Sequence, residues 1–245
     1  MKVFDVYSAL NRIAPFDTAY EWDNCGLITG SFDDSVTGVL VTLDADFKAL
    51  ENAIKNNCSV VVSHHPVIWD PLKSVTDKDT VYHYIKNKIS VISAHTCLDA
   101  CESGPSYLLA KIAGVENPAP YTVDGLPIGR TGSVNFDENF VSNLASALNT
   151  RADSVICRPV KNVCVIAGSG GSEIKNISQH EIDTLITGEC KHEHFVYAEN
   201  YGLNIIALGH FETENIVVKP LAKQLEKMLD IPIFTSSRTP LVNRG

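Results

Sequence analysis

The stretch Val60-Val61-Val62-Ser63-His64-His65-Pro66 limits the fold more than any other part of the chain. Consecutive β-branched residues without polar alternation describe a strand buried on both faces, the kind found in parallel sheets flanked by helices. Pro66 removes a backbone donor and keeps His65 extended, so the strand stops where the imidazoles begin. In open α/β sheets ligands bind just beyond the carboxyl ends of strands, which is where both histidines fall. Adjacent strand residues point to opposite faces, so the pair suits two metal ions side by side, or one ion and a base.

The arrangement recurs. Apolar runs at 89–94, 183–187 and 203–208 lead into His95-Thr96-Cys97-Leu98-Asp99, Gly188-Glu189 and Gly209-His210-Phe211-Glu212-Thr213-Glu214. A further strand at 38–44 ends at Asp44, placed to cap a helix with Phe47, Leu50 and Ile54 on one face. Helical spacing also marks 3–13 (closed by Pro15), 80–87 (Val81, Tyr84 and Ile85 inward), 104–114, 140–148, and a long helix to Leu229 bent at Pro220. Residues 21–27 read as a polar turn held by Asp23 and Asn24 rather than as a ligand loop. Ile231-Pro232-Ile233-Phe234 reads as an edge strand. Pro118, Pro120, Gly125, Pro127, Gly129 and Gly132 crowd residues 115–133, which read as the connection between a first half, 1–125, and a second, 126–245.

An offset of 124 sets Val41 against Val165 and Ser63 against Thr187, and with a small gap His95 to Asp99 falls on His210 to Glu214. Each half then carries a strand, a histidine and a carboxylate four residues later, as a duplicated α/β unit with strand ends facing one cleft would. Pooling those ends gives His64, His65, Asp99, His210 and Glu214. Three imidazoles and two carboxylates suit two divalent ions such as Zn, Mn, Fe, Co or Ni, and a binuclear hydrolase is the natural reading.

Other polar residues have two readings each. His95 is a ligand, a base, or a partner of Asp99. Glu189, His192 and His194 are catalytic by type, or a solvated helix start. The turn from Gly168 to Ser172 offers backbone donors to phosphate but lacks the third glycine of a dinucleotide fingerprint and the lysine of a P-loop. His83 and His180 fall on apparent surface segments.

A net charge of -9 without clustered Lys or Arg argues against nucleic acid polymers and anionic membranes as partners. No segment is long and apolar enough to span a membrane, and no signal peptide is expected from Met1-Lys2-Val3-Phe4-Asp5. Seven scattered cysteines without a Cys-x-x-Cys pair are reduced-compartment usage, so a cytoplasmic address is expected.

Together Ser63-His64-His65-Pro66, His95-Thr96-Cys97-Leu98-Asp99-Ala100, Thr187-Gly188-Glu189, Gly209-His210-Phe211-Glu212-Thr213-Glu214 and Trp22-Asp23-Asn24-Cys25-Gly26-Leu27 resemble the GTP cyclohydrolase I type 2-like family, also called NIF-three-like. The resemblance covers essentially the whole chain. It implies two similar α/β halves with mostly parallel sheets flanked by helices and a dinuclear metal site in the cleft between them. It also implies a homohexameric ring, and metal ligands at His64, His65, Asp99, His210 and Glu214. The implied activity is hydrolysis of a nucleotide-like substrate, either GTP ring opening or phosphoester cleavage, with Glu189, His192 and His95 as catalytic candidates. A non-catalytic metal-binding or regulatory protein is the competing class. One departure is Cys97, where the family pattern often has Asn; with Cys101 and Cys190 it puts thiols near the motifs, where they bear on metal preference and oxidation.

Overall fold

The computed structural model describes residues 1–178 and 181–236, so His180 lies outside the described residues. The chain packs as two compact units, one of residues 1–101 with 217–236, the other of residues 102–216.

The first unit opens with α1 (Val3–Ile13), which buries Val3, Val6, Ala9 and Leu10. Then come β1 (Gly26–Thr29), β2 (Val39–Asp44), α2 (Phe47–Lys55), β3 (Val60–His65), α3 (Thr80–Lys86), β4 (Ser90–Ser93) and α4 (Thr96–Asp99). Strand β3 lies between β2 and β4 and parallel to both, with Val60 to Ser63 all buried. This central position is what an unbroken β-branched run requires. Strand β1 pairs antiparallel with β4, Gly26 opposite Ser93, which carries the turn before β1 to the carboxyl end of β4.

Helices α2 and α3 differ from expectation at three local points. The cap of α2 is Asp46, whose side chain accepts the Ala49 N–H at 2.8 Å, while Asp44 ends β2 beside His65. Helix α2 buries Ala49, Leu50 and Ala53 and leaves Phe47 and Ile54 half exposed; α3 likewise exposes Ile85. Ala49, Leu50 and Ala53 share one buried cluster with Leu40, Val61 and Val91 of the sheet, and that packing sets the buried face.

The second unit holds α5 (Pro105–Ile112), β5 (Glu116–Val123), β6 (Leu126–Ser133), α6 (Phe140–Ala147), β7 (Asp153–Val155), β8 (Asn162–Ile166), α7 (Ile174–Ile177), β9 (Thr184–Thr187), α8 (His192–Tyr201), β10 (Asn204–Ala207) and α9 (His210–Glu214). Its sheet runs β5-β6-β8-β9-β10-β7. Only the β8-β9 and β9-β10 pairings are parallel; the flanking three are antiparallel. The expected connection at 115–133 is thus a hairpin belonging to this sheet. Asp124 and Gly125 both have positive φ, 45° and 90°, as a tight primed turn demands, and Pro118 and Pro120 sit on the edge strand, where a missing donor is tolerated.

After α9 and a 3-10 turn at 215–217 the chain returns to the first unit as α10 (Val218–Glu226) and β11 (Ile233–Thr235), the latter parallel to β2 at the sheet edge. The units therefore divide the chain after residue 101 and rejoin residues from 217 to the first, in place of contiguous halves at 1–125 and 126–245. The break in the expected long helix is at 215–217. Pro220 is the third residue of α10, where its absent N–H has no helical acceptor to lose. The internal repeat survives in the registers: Val41 pairs with Val62 and, 124 residues on, Val165 pairs with Ile186. Among the described residues no helix is long and apolar enough to cross a membrane.

Candidate metal centre

In the first unit the carboxyl ends of β3 and β4 deliver three imidazoles. The His64 ring, 1% exposed, has Nδ1 3.0 Å from the Ala94 carbonyl oxygen. A carbonyl only accepts, so Nδ1 carries the proton and the lone pair is on Nε2. His65 Nδ1 stands 2.8 Å from Asp44 Oδ1, and His95 Nδ1 3.0 Å from Asp23 Oδ1, which sets the same tautomer in both. The ring centroids lie 5.0, 5.2 and 5.6 Å apart, and one ligating atom from each ring falls within 4.8 Å of the others. Asp99, the last residue of α4, brings Oδ1 to 3.6 Å from His64 Nε2. Histidines that serve a metal have their second nitrogen engaged in this way by a carboxylate or carbonyl.

Asp23 does more than hold its turn. Its side chain is fully buried and accepts from the backbone N–H of Thr96 at 2.9 Å and from the Thr96 hydroxyl, besides His95. Burial pushes its carboxyl up, but the bonds from His95 and Thr96 more than offset that and hold it well below the usual carboxylate range. Cys25 joins the same network: its thiol donates to Asp23 Oδ2 at 3.2 Å and accepts the His95 N–H at 3.3 Å. Both tryptophans of the chain flank His95, Trp22 at 6.2 Å and Trp69 at 5.1 Å between ring centroids, and are 65% and 53% exposed.

In the second unit His210 opens α9. Its Nε2 lies 2.9 Å from Glu214 Oε2, one helical turn on, and its Nδ1 3.3 Å from Glu189 Oε2. Chiefly through the hydrogen bond to Glu214, the imidazole is raised to about 9, so it holds a proton at neutral pH that a divalent cation would displace. The glycine turn serves this pair. Gly168 has φ +64°, a Cβ there would collide with Glu214 Oε1, and its N–H is accepted by Thr213 Oγ1 at 3.0 Å. Glu189 also lines an open cavity of about 560 Å³ with Ser169, Ser172, Lys175, Lys191 and His194.

The fold thus brings His64, His65, His95 and Asp99 together in the first unit, and Glu189, His210 and Glu214 together in the second. His192 stands at the exposed first position of α8, and among the described residues no hydrogen bond or ion pair joins it to His210 or Glu214. His194 is buried, its Nδ1 accepting the Lys191 N–H at 3.2 Å, and His83 Nε2 is bonded to the Asp77 carbonyl. Sequence alone does not place Asp23 or Asp44 in the site. Each is an acid near a strand end, but nothing local points from 23 to 95 or from 44 to 65. Imidazole and carboxylate donors of this kind fit divalent first-row ions.

A family model described as Duf34/NIF3 (NGG1p interacting factor 3) matches residues 1–240. A GTP cyclohydrolase 1 type 2 homolog of Campylobacter jejuni is 28% identical over 98% of both chains. One from Methanocaldococcus jannaschii is 29% identical, over 96% of this chain and 99% of its own. Among solved structures, the hypothetical protein SA1388 of Staphylococcus aureus superposes with a TM-score of 0.89 at 25% identity, covering 99% of each chain.

Proposed function

The chain belongs to the Duf34/NIF3 family, and from that premise we propose that it is a dinuclear metal-dependent hydrolase acting on a nucleotide-like substrate. One observation carries the reading: His64, His65 and His95 each have Nδ1 engaged by an oxygen acceptor while their ligating atoms converge within 4.8 Å. The proposed ligands are His64, His65 and Asp99 of the first unit with His210 and Glu214 of the second, serving two divalent ions of the Zn, Mn, Fe, Co and Ni group. Bound ions of this kind supply Lewis acidity and acidify water for hydrolysis.

The protein's own residues orient and move protons. The Ala94 carbonyl, Asp44 and Asp23 hold the three rings in one tautomer, so the donor set is preorganised. Glu189, half exposed and bonded to His210, is the proposed general base. His95, tied to Asp23 as a catalytic imidazole is tied to its carboxylate and with a ligating atom within 4.8 Å of those of His64 and His65, is proposed as a further donor to the first-unit ion and, when off it, as the second proton carrier; the exposed His192 is the proposed substrate contact.

The names of the relatives support a nucleotide-like substrate, and the two exposed indoles beside His95 support a planar base. That favours ring opening of a GTP-like substrate over cleavage of a phosphoester without a base. A homohexameric ring and a cytoplasmic address complete the proposal, the latter supported by seven free cysteines.

The test is metal content per chain by mass spectrometry, on protein purified without chelator or nickel affinity, beside His64→Ala and Glu214→Ala. About two equivalents, reduced by each variant, support the reading. GTP turnover that Glu189→Gln abolishes while metal stays bound would support the catalytic assignment. Bound metal with no turnover would move the protein to the non-catalytic metal-binding class, and no metal after incubation with Zn, Mn or Fe would overturn both.

A further inference from the structure

We propose that Cys25 and Cys97 form a peroxide-modifiable dithiol, and that its closure to a disulfide releases the hydrogen-bonded clamp on His95. The two Sγ atoms lie 3.6 Å apart across 72 residues of chain. The sheet puts them there: β1 pairs antiparallel with β4, so Cys25, just before β1, faces the start of α4, where Cys97 sits. Cys25 is partly exposed and Cys97 fully buried, the division of labour of an attacking and a resolving thiol. Cys101 is the nearby competitor, but its S–H is engaged by the carbonyls of Cys97 and Ile13 at 3.1 and 3.2 Å.

The chemistry balances with a hydroperoxide as oxidant. The Cys25 sulfur attacks one peroxide oxygen, the O–O bond breaks, and a sulfenic acid forms with loss of one water that carries the Cys25 thiol proton. The Cys97 sulfur then attacks the Cys25 sulfur, the S–O bond breaks, and a second water leaves with the Cys97 proton. Two thiols and one hydrogen peroxide give one disulfide and two waters. The S···S distance must close by roughly 1.5 Å to reach bonding length, a side-chain rotation with a small backbone shift.

The consequence runs through atoms already in contact. In the thiol form Cys25 donates to Asp23 Oδ2 and accepts the His95 N–H, and Asp23 holds His95 Nδ1. A disulfide sulfur has no proton to donate, and it is drawn toward Cys97 and away from the His95 amide. His95 and Asp23 each lose a partner. The dithiol stands on its own geometry; its effect on metal rests on the metal-centre reading above.

The experiment treats the reduced full-length protein with one equivalent of hydrogen peroxide per chain. Expected are loss of two of the seven thiols, recovery with dithiothreitol, and a peptide joining Cys25 to Cys97 that is two hydrogens lighter. Zinc affinity, by competition with a chromophoric chelator, is expected to fall about tenfold on oxidation and to recover on reduction. Cys97→Ala and Cys97→Ser should stop at a Cys25 sulfenic acid that dimedone traps, and Cys25→Ala should keep its thiols. A linkage between Cys97 and Cys101, or wild-type thiol loss in Cys25→Ala, would overturn the dithiol. Linkage of Cys25 to Cys97 with unchanged zinc affinity would overturn its coupling to His95. Absence of zinc binding in the reduced protein counts against the metal reading instead, and the thiol and peptide readouts still decide the disulfide.

Discussion

Asp23 holds His95 Nδ1 at 3.0 Å across 72 residues of sequence, and the same carboxylate accepts the backbone N–H of Thr96. Ring, helix start and turn are thereby one unit. Asp23→Asn removes the charge and leaves an amide that is a weaker acceptor or presents its own N–H to the ring. Zinc affinity measured by chelator competition is expected to fall about 10- to 100-fold. Asp44→Asn should do the same through His65. If both variants are folded by circular dichroism and bind zinc as tightly as the wild type, the imidazoles are not ligands.

Gly168 and Gly114 separate backbone cost from site cost. Both have positive φ, +64° and +71°, but a Cβ at 168 meets Glu214 Oε1 while one at 114 meets nothing within 4 Å. Each alanine variant should lose about 1–2 kcal/mol of stability in urea titration from the left-handed backbone alone. Gly168→Ala should lose more, and should bind fewer metal equivalents; Gly114→Ala should keep its metal. Equal metal content in the two variants would mean that Glu214 is not a ligand.

Tryptophan fluorescence reports on the candidate centre alone, because Trp22 and Trp69 are the chain's only indoles and both flank His95. Guanosine and GTP are expected to quench it, and tripolyphosphate is not. Replacing either indole with alanine should weaken guanosine binding by about 1–3 kcal/mol, the usual scale of base stacking on an aromatic side chain. Quenching by tripolyphosphate but not by guanosine would favour a phosphoester substrate.

His194 makes folding sensitive to acid. Burial lowers its pKa, opposed by Glu193 and assisted by Lys191 and Lys175, and its Nδ1 must stay unprotonated to accept the Lys191 N–H. The unfolded imidazole titrates at about 6.5, so below that pH the unfolded state binds more protons than the folded one. This contribution is present above that value and is lost as pH falls toward the folded pKa. Between pH 7.5 and 5.5 the melting temperature of His194→Gln should therefore fall less than that of the wild type, by roughly 1–3 °C. Equal or steeper loss in the variant would contradict the assignment.

What the sequence determined is local. Runs such as 60–65, 90–93, 184–187 and 204–207 are legible as buried strands because burial on both faces demands apolar residues without alternation, and the histidines and acids at their ends stand out against that background. Asp124-Gly125 is a local hairpin signal too, and the prolines around it fit because β5 is an edge strand. The tertiary structure decided the rest. Which of Phe47, Ala49, Leu50, Ala53 and Ile54 faces inward depends on how α2 packs against Leu40, Val61 and Val91 of its sheet. That Asp23 orients His95, that Asp44 orients His65, and that Cys25 meets Cys97 depends on β1 pairing with β4 and β2 with β3, each in one register. Backbone preference is written residue by residue, whereas register is settled by the burial of whole faces at once, so contacts across 21 or 72 residues leave no mark at either end.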